Sequence, residues 1–116
     1  MGIPFPDPVA QNDERTSQYV RCYILEDAFK RDELANRAFY DPNMRDNYLG
    51  LKDIQGNHQA YTLELIRSEA KGMSNTDQPL IEFVGSISND IIRITDRGRN
   101  IYEEERTKDM QEWNLG

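Results

Sequence analysis

The chain has little of what catalytic and metal sites are made from. Its 116 residues contain one cysteine, Cys22, and one histidine, His58. A single cysteine excludes an intrachain disulfide and a cysteine-based zinc site, and a single histidine excludes a multi-histidine metal site within one chain. No phosphate-binding loop or nucleophile–base pair is recognisable. The sequence therefore predicts a protein that is not an enzyme and uses no cofactor.

Long apolar runs and excess positive charge are also missing. No apolar run approaches the roughly 20 residues of a membrane span, and the opening MGIPFPDPVA does not resemble a signal peptide. We therefore expect a cytoplasmic protein with no membrane partner. The net charge of −7 repels phosphate, which argues against broad, nonspecific binding of nucleic acid but leaves a local basic patch open.

What is present suffices for one folded domain. A chain of this length can bury roughly 65% of its unfolded surface, enough for a single core. Alternating prolines in IPFPDP forbid a helix and predict an extended N-terminal arm over residues 1–12. A single domain is expected over residues 13–116. Within it Cys22 lies among apolar residues, so we expect a buried, unreactive thiol.

Helical spacing dominates the first half of the domain. From Asp13, apolar residues recur every three or four positions, which predicts a first helix to about Arg31. Residues 32–39 either continue this helix or form another. Asp41 followed by proline is typical of a helix start, because proline lacks an N–H that would be unsatisfied there. We expect that helix to end at Gln55-Gly56, and whether it is broken at Gly50 stays open.

A third helix follows a short turn. Asn57 can cap a helix over HQAYTLELIRSEAK, and Gly72 would end it. The turn QGN between the second and third helices is typical of a helix-turn-helix, although ordinary helical pairs contain similar turns.

A hairpin and a last helix complete the predicted domain. Two runs of branched residues, LIEFV and IIRIT, flank the polar GSISND and predict a β-hairpin. Thr95 can then cap a helix that begins near Asp96 and extends towards Trp113. Gly98 would let this helix start close against the strand it leaves.

The phrase ITDRG, within IIRITDRGRNIYEE and after LIEFV, resembles the end of a winged-helix domain. The resemblance covers about residues 57–105 well and residues 13–56 only through the order of elements. It implies an α+β, mostly helical fold: a winged helix-turn-helix with a two-stranded wing hairpin and a C-terminal helix. The chain departs from the family at SNTDQP, because the family's third helix commonly runs almost directly into the first wing strand.

The resemblance implies a DNA-binding transcriptional regulator, since the third helix of winged-helix proteins enters the DNA major groove and the wing contacts the flanking backbone. The candidate DNA-binding residues on the third helix are His58, Gln59, Thr62, Arg67 and Lys71. Those of the wing region are Ser86, Ser88, Asn89, Arg93, Arg97 and Arg99. Two features oppose this function: Glu64 and Glu69 leave the third helix nearly neutral, and Arg99 can pair instead with Glu103.

Two questions about partners stay open. Terminal helices of many winged-helix regulators pair with their twins, so Tyr102, Met110 and Trp113 are candidates for a homodimer interface. Alternatively, the helix folds back over Tyr19 and Tyr23. The alternative to double-stranded DNA is a protein partner: an acidic winged-helix module that binds protein and not DNA, for which a basic partner is suitable.

Overall fold

The computed structural model describes residues 14–37 and 49–116, with side chains up to residue 34 in the first segment. The arm predicted for residues 1–12 and the helix start predicted at Asp41 lie outside the described residues. Within them, four α-helices and a small three-stranded antiparallel sheet form an α+β, mostly helical fold. This confirms the predicted class. No helix in these segments is long and apolar enough to cross a membrane.

The first helix, α1, is continuous from Glu14 to Arg37. The choice left open between one helix and two is therefore settled in favour of one, because this stretch contains neither glycine nor proline to interrupt it. Its buried stripe includes Val20, Ile24 and Ala28, spaced four residues apart. Through this stripe α1 packs against the helices α3 (Leu63–Ser74) and α4 (Asp96–Glu105) and against the sheet, and it thus lies at the centre of the described residues.

A short strand, β1 (Leu49–Gly50), precedes the second helix, α2 (Leu51–Asn57). The expectation that Leu49 belongs to a helix begun at Asp41 is wrong, because Leu49 pairs with Ile92 of the distant third strand. That pairing depends on tertiary contact and leaves no periodic signal in two residues. The predicted end of the helix at Gly56 is correct to within one residue.

The third helix, α3, runs from Leu63 to Ser74, so its predicted start at His58 is wrong. Thr62, not Asn57, caps it: the Thr62 hydroxyl accepts a hydrogen bond from the Leu65 N–H at 3.2 Å. The turn between α2 and α3 is therefore formed by residues 58–62, not by QGN. Gly72 does not end the helix either, since a glycine only weakens a helix that packing supports.

The predicted hairpin is present, with β2 (Ile81–Phe83) paired antiparallel to β3 (Ile91–Ile94). The sheet order is β1-β3-β2, which places β3 at the centre. A short 3₁₀ helix occupies Ile87–Asn89 in the loop, and Asp90, which follows it, adopts a left-handed backbone with φ of 56°. The polar tip therefore has a defined conformation of its own.

The last helix, α4 (Asp96–Glu105), begins where the sequence predicts. The Thr95 hydroxyl accepts from the Gly98 N–H at 3.0 Å and donates to the Pro79 carbonyl at 2.7 Å. A Cβ on Gly98 would lie 2.9 Å from the carbonyl carbon of Leu80 and nearer still to its oxygen. The expected close approach of α4 to β3 is thus confirmed, and α4 also lies close to Leu80, the residue before β2.

Contrary to expectation, α4 does not continue to Trp113. The chain turns after Glu105 and forms a second 3₁₀ helix at Met110–Glu112. The Glu105 carboxylate accepts from the Lys108 ammonium at 2.7 Å and from the Asn114 backbone N–H at 2.5 Å. The C-terminal segment is thereby folded back towards α1, whose Gln18 amide donates to the Trp113 carbonyl at 2.9 Å.

Candidate functional site

The predicted DNA-reading residues separate into two groups around α3. Only Arg67 and Lys71 lie on the helix itself. Gln59 is exposed in the preceding turn, and Thr62 uses its hydroxyl for the cap. On the side of α3 that faces the core, the buried residues are Ile66, Ala70 and Met73. Those it presents to solvent include Glu64, Ser68 and Lys71. This outward side carries one acid and one base, so it is close to neutral.

His58 is held by α1 rather than presented to a ligand. Its Nε2 lies 3.1 Å from Asp27 Oδ2, and its ring stacks on Tyr23 with centroids 4.0 Å apart. Burial raises the pKa of Asp27, although the neighbouring imidazole acts in the opposite direction. The contact fixes the α2–α3 turn against α1. Sequence reasoning missed Asp27 and Tyr23 because they are far from His58 along the chain.

Arg67 forms a two-pronged ion pair with the hairpin. Its Nε donates to Asp90 Oδ1 at 2.9 Å and its Nη2 donates to Oδ2 at 2.6 Å. These hydrogen bonds lower the pKa of Asp90 and raise the pKa of Arg67. The pair ties α3 to the residue that precedes β3. The positive charge of Arg67 is therefore compensated within the chain.

Two of the three wing-region arginines are also paired with carboxylates. Arg93 bonds across the hairpin to Glu82, its partner in the strand register. Arg99 pairs with the buried Asp32 of α1, and not with Glu103, the partner that the sequence suggested as an alternative to DNA. The predicted hairpin gave a local signal for the Arg93–Glu82 pair. There was no such signal for the Arg99–Asp32 pair, because the packing of α1 on α4 brings these two residues together.

The three arginines do not gather into one patch. Arg93 lies on the exposed side of β3, Arg99 is directed to α1, and Arg97 lines a separate cleft with α3 and the C-terminal residues. At the hairpin tip the hydroxyls of Ser86 and Ser88 bond each other at 2.7 Å. The sequence of the tip, GSISND, contains no arginine.

One feature of the tip escaped the sequence-based reasoning. Ile87, inside the otherwise polar GSISND, is 52% exposed. Beside it, a groove of about 670 Å³ lies between the C-terminal end of α3 and the hairpin. We call this the α3–hairpin groove; its lining includes Lys71, Gly72, Phe83 and Ile87. The sequence signal that could have indicated this groove is the isoleucine within the otherwise polar loop.

The residues proposed for a dimer interface lie largely inside the chain. Tyr102 and Trp113 are each 6% exposed and meet edge to face at 5.6 Å, and Tyr102 also stacks on Phe29 at 4.3 Å. Met110 is partly buried against the same core. The two rings are therefore already packed, and an interface built on them would require them to leave this core. The homodimer itself stays a prediction.

Cys22 is fully buried, as the sequence predicts. Burial raises the pKa of its thiol to about 12, so the thiolate form that reacts with electrophiles is disfavoured. Within residues 14–37 and 49–116 there is no cluster of three or more histidine, cysteine or carboxylate side chains that could hold a metal ion.

Comparison of the chain with protein-family models, with curated proteins and with solved structures finds no match.

Proposed function

We propose that this chain is a winged-helix interaction module whose α3–hairpin groove binds a basic segment of a partner protein. The order α1-β1-α2-α3-β2-β3-α4 and the sheet order β1-β3-β2 support the winged helix-turn-helix that the sequence resembles. The observation that carries the proposal is the exposure of Ile87 beside this groove.

The groove offers an apolar contact. Ile87 and Phe83 lie along one side of it, and Gly72 opens the other side because it has no side chain to fill the space. Exposed apolar surface bordered by polar groups is typical of protein interaction sites. An apolar side chain of the partner would pack between these residues, as anchor residues do at the centre of interfaces.

Charge favours a basic partner over nucleic acid. Arg67 and Arg93 are paired with Asp90 and Glu82, so they offer little uncompensated charge to phosphates. The chain as a whole carries −7. A negative surface speeds association with a positively charged partner and slows the approach of DNA.

A peptide-display selection against the purified protein tests this function. We expect enrichment of peptides in which lysine or arginine flanks an apolar residue. Ile87→Asp should weaken their binding about tenfold or more, as the loss of an anchor contact does. Leu34→Asp is the matched control, since Leu34 is a similarly exposed apolar residue on α1. Equal loss in both variants, or no enrichment at all, would contradict the proposal.

Double-stranded DNA is the second candidate, and the exposed Lys71 of α3 and Lys52 of α2 favour it. Fluorescence anisotropy with a labelled duplex, at low and at physiological salt, separates the two functions. Contacts to two or three phosphates would lower log K by about 2 to 3 per tenfold rise in salt. Salt-sensitive binding that Lys71→Glu abolishes would support a DNA-binding regulator, whereas no binding by folded protein at low salt would exclude it.

A further inference from the structure

A second concave surface is lined by α1, α3, the start of α4, the segment leading into β2 and the C-terminal residues. We call it the Arg97 cleft. Its volume is about 860 Å³, within the range of small-molecule sites. The lining residues that matter here are Arg21, Glu69, Met73, Leu80, Arg97 and Trp113. It is built from side chains different from those at the hairpin tip, although both surfaces border Gly72.

The floor of the Arg97 cleft is apolar. Met73, Leu80 and Trp113 belong to the hydrophobic core and line the cleft, as does the partly buried Leu115. Such a floor excludes water from part of the surface of a bound molecule. It therefore favours a ligand with an apolar body.

The charges in the cleft are unequally paired. Arg21 and Glu69 bond each other at 3.0 Å and compensate one another. Arg97 differs, because its Nε is buried without a hydrogen-bond partner and no carboxylate in the described part of the chain pairs with it. The Nε of Arg99 also lacks a partner, yet Asp32 holds the rest of that guanidinium. Among the described residues, only Arg97 combines a guanidinium that lines a cleft with a donor that lacks an acceptor and a charge that no carboxylate pairs with.

A buried donor without an acceptor is costly, and a charged one more so. A carboxylate suits a guanidinium best, since two parallel N–H···O bonds match its planar fork. Glu69 and Asp77 also line the cleft and would repel a ligand with two negative charges such as phosphate. We propose that the Arg97 cleft binds a small organic monocarboxylate with an apolar body, held through Arg97.

Trp113 provides a direct signal for this binding, because it is the only tryptophan in the chain and lines the cleft. Phenylacetate and hexanoate are the probes, and their amides are the neutral controls of equal shape. We expect a saturable change in tryptophan emission with each acid. The amides should bind about tenfold more weakly or not at all, because they cannot form a charge-assisted pair.

Arg97→Gln should weaken the binding of both acids about tenfold or more while the thermal midpoint stays unchanged, since the side chain loses no bond within the described structure. Arg31→Gln is the control, because Arg31 is exposed on a distant turn of α1. Should Arg97→Gln fail to fold, Arg97→Lys keeps the charge, loses the fork and is expected to bind several-fold more weakly.

Three outcomes would overturn the proposal: no emission change with either acid, equal affinity for acid and amide, or unchanged affinity in the Arg97 variants. The same variants test this proposal independently of the proposed binding at the α3–hairpin groove. Ile87→Asp should retain the tryptophan response, and Arg97→Gln should retain peptide binding.

Discussion

The hairpin side and the C-terminal side of this molecule use the same residue types in opposite ways. At the hairpin side, Arg67 is compensated by Asp90, and the apolar Ile87 is exposed. At the C-terminal side, Arg97 has a buried N–H with no acceptor among the described residues, and the large ring of Trp113 is buried. Within the described residues, an arginine thus keeps an uncompensated charge only where no carboxylate is folded against it, and an apolar side chain stays exposed only where it lies outside the core.

The largest expected effect tests whether the C-terminal side is part of the core. Trp113→Ala removes a ring packed on Tyr102 and a hydrogen bond from its indole N–H to the Lys108 carbonyl. The free energy of unfolding should fall by about 3 to 5 kcal/mol in urea denaturation. Leu34→Ala, at an exposed position, should change it by about 0.5 kcal/mol or less. A similarly small loss for Trp113 would show that the ring is not needed by the core.

The next effect tests the junction between the two sides. Gly98→Ala places a methyl group against the Leu80 carbonyl, so α4 must shift. We expect a loss of about 2 to 3 kcal/mol in the free energy of unfolding. Gly72→Ala is the matched control: its methyl group meets nothing within 4 Å, and a gain of about 0.5 kcal/mol is expected from helix propensity. Equal behaviour of the two glycines would contradict the close approach.

Acid should weaken both sides. Hydrogen bonds lower the pKa of Asp90 and of Glu105 below their ordinary values of 3.8 and 4.5. A group whose pKa is lower in the folded state than in the unfolded state stabilises the protein at pH values above its unfolded-state pKa. This contribution is lost as the pH falls through its folded-state pKa. Asp27, whose pKa is raised, acts in the opposite direction.

Denaturation in urea across a series of pH values measures this loss. We expect the free energy of unfolding to fall below about pH 4.5. Asp90→Asn should make that fall shallower, and Asp53→Asn, at an exposed position of α2, should leave it unchanged. A flat profile in the wild-type protein would contradict the ion pairs at Asp90 and Glu105.

The smallest effect concerns the exposed pair of the hairpin. Glu82→Gln removes the carboxylate that Arg93 contacts, and both side chains are about half exposed, at 43% and 51%. Solvent screens such pairs, so a change of about 0.5 kcal/mol or less is expected by urea denaturation. A larger loss would mean that the stability of the hairpin depends on this pair.

Much of the fold could be predicted from local signals. The hairpin, the Thr95 cap, the start of α4 and the buried Cys22 each follow from residues within a few positions of one another. Periodicity also located α1 and α3, because each has one face directed to the core. One error concerns a boundary, because α3 begins at Leu63, where Thr62 rather than Asn57 supplies the cap. Another concerns the type of element, because Leu49, expected in a helix, lies in β1.

The pairing of charges could not be predicted, and with it most of the candidate site. Nothing local indicates that Asp90 holds Arg67, that Asp32 holds Arg99 or that Arg97 pairs with no carboxylate in the described part of the chain. By itself, the sequence determined most of the helices, the hairpin and the acidic balance, since propensity, capping and composition act over short range. Only the tertiary structure decided which charges and apolar side chains remain available, because electrostatic compensation and burial depend on residues that meet only when the chain is folded.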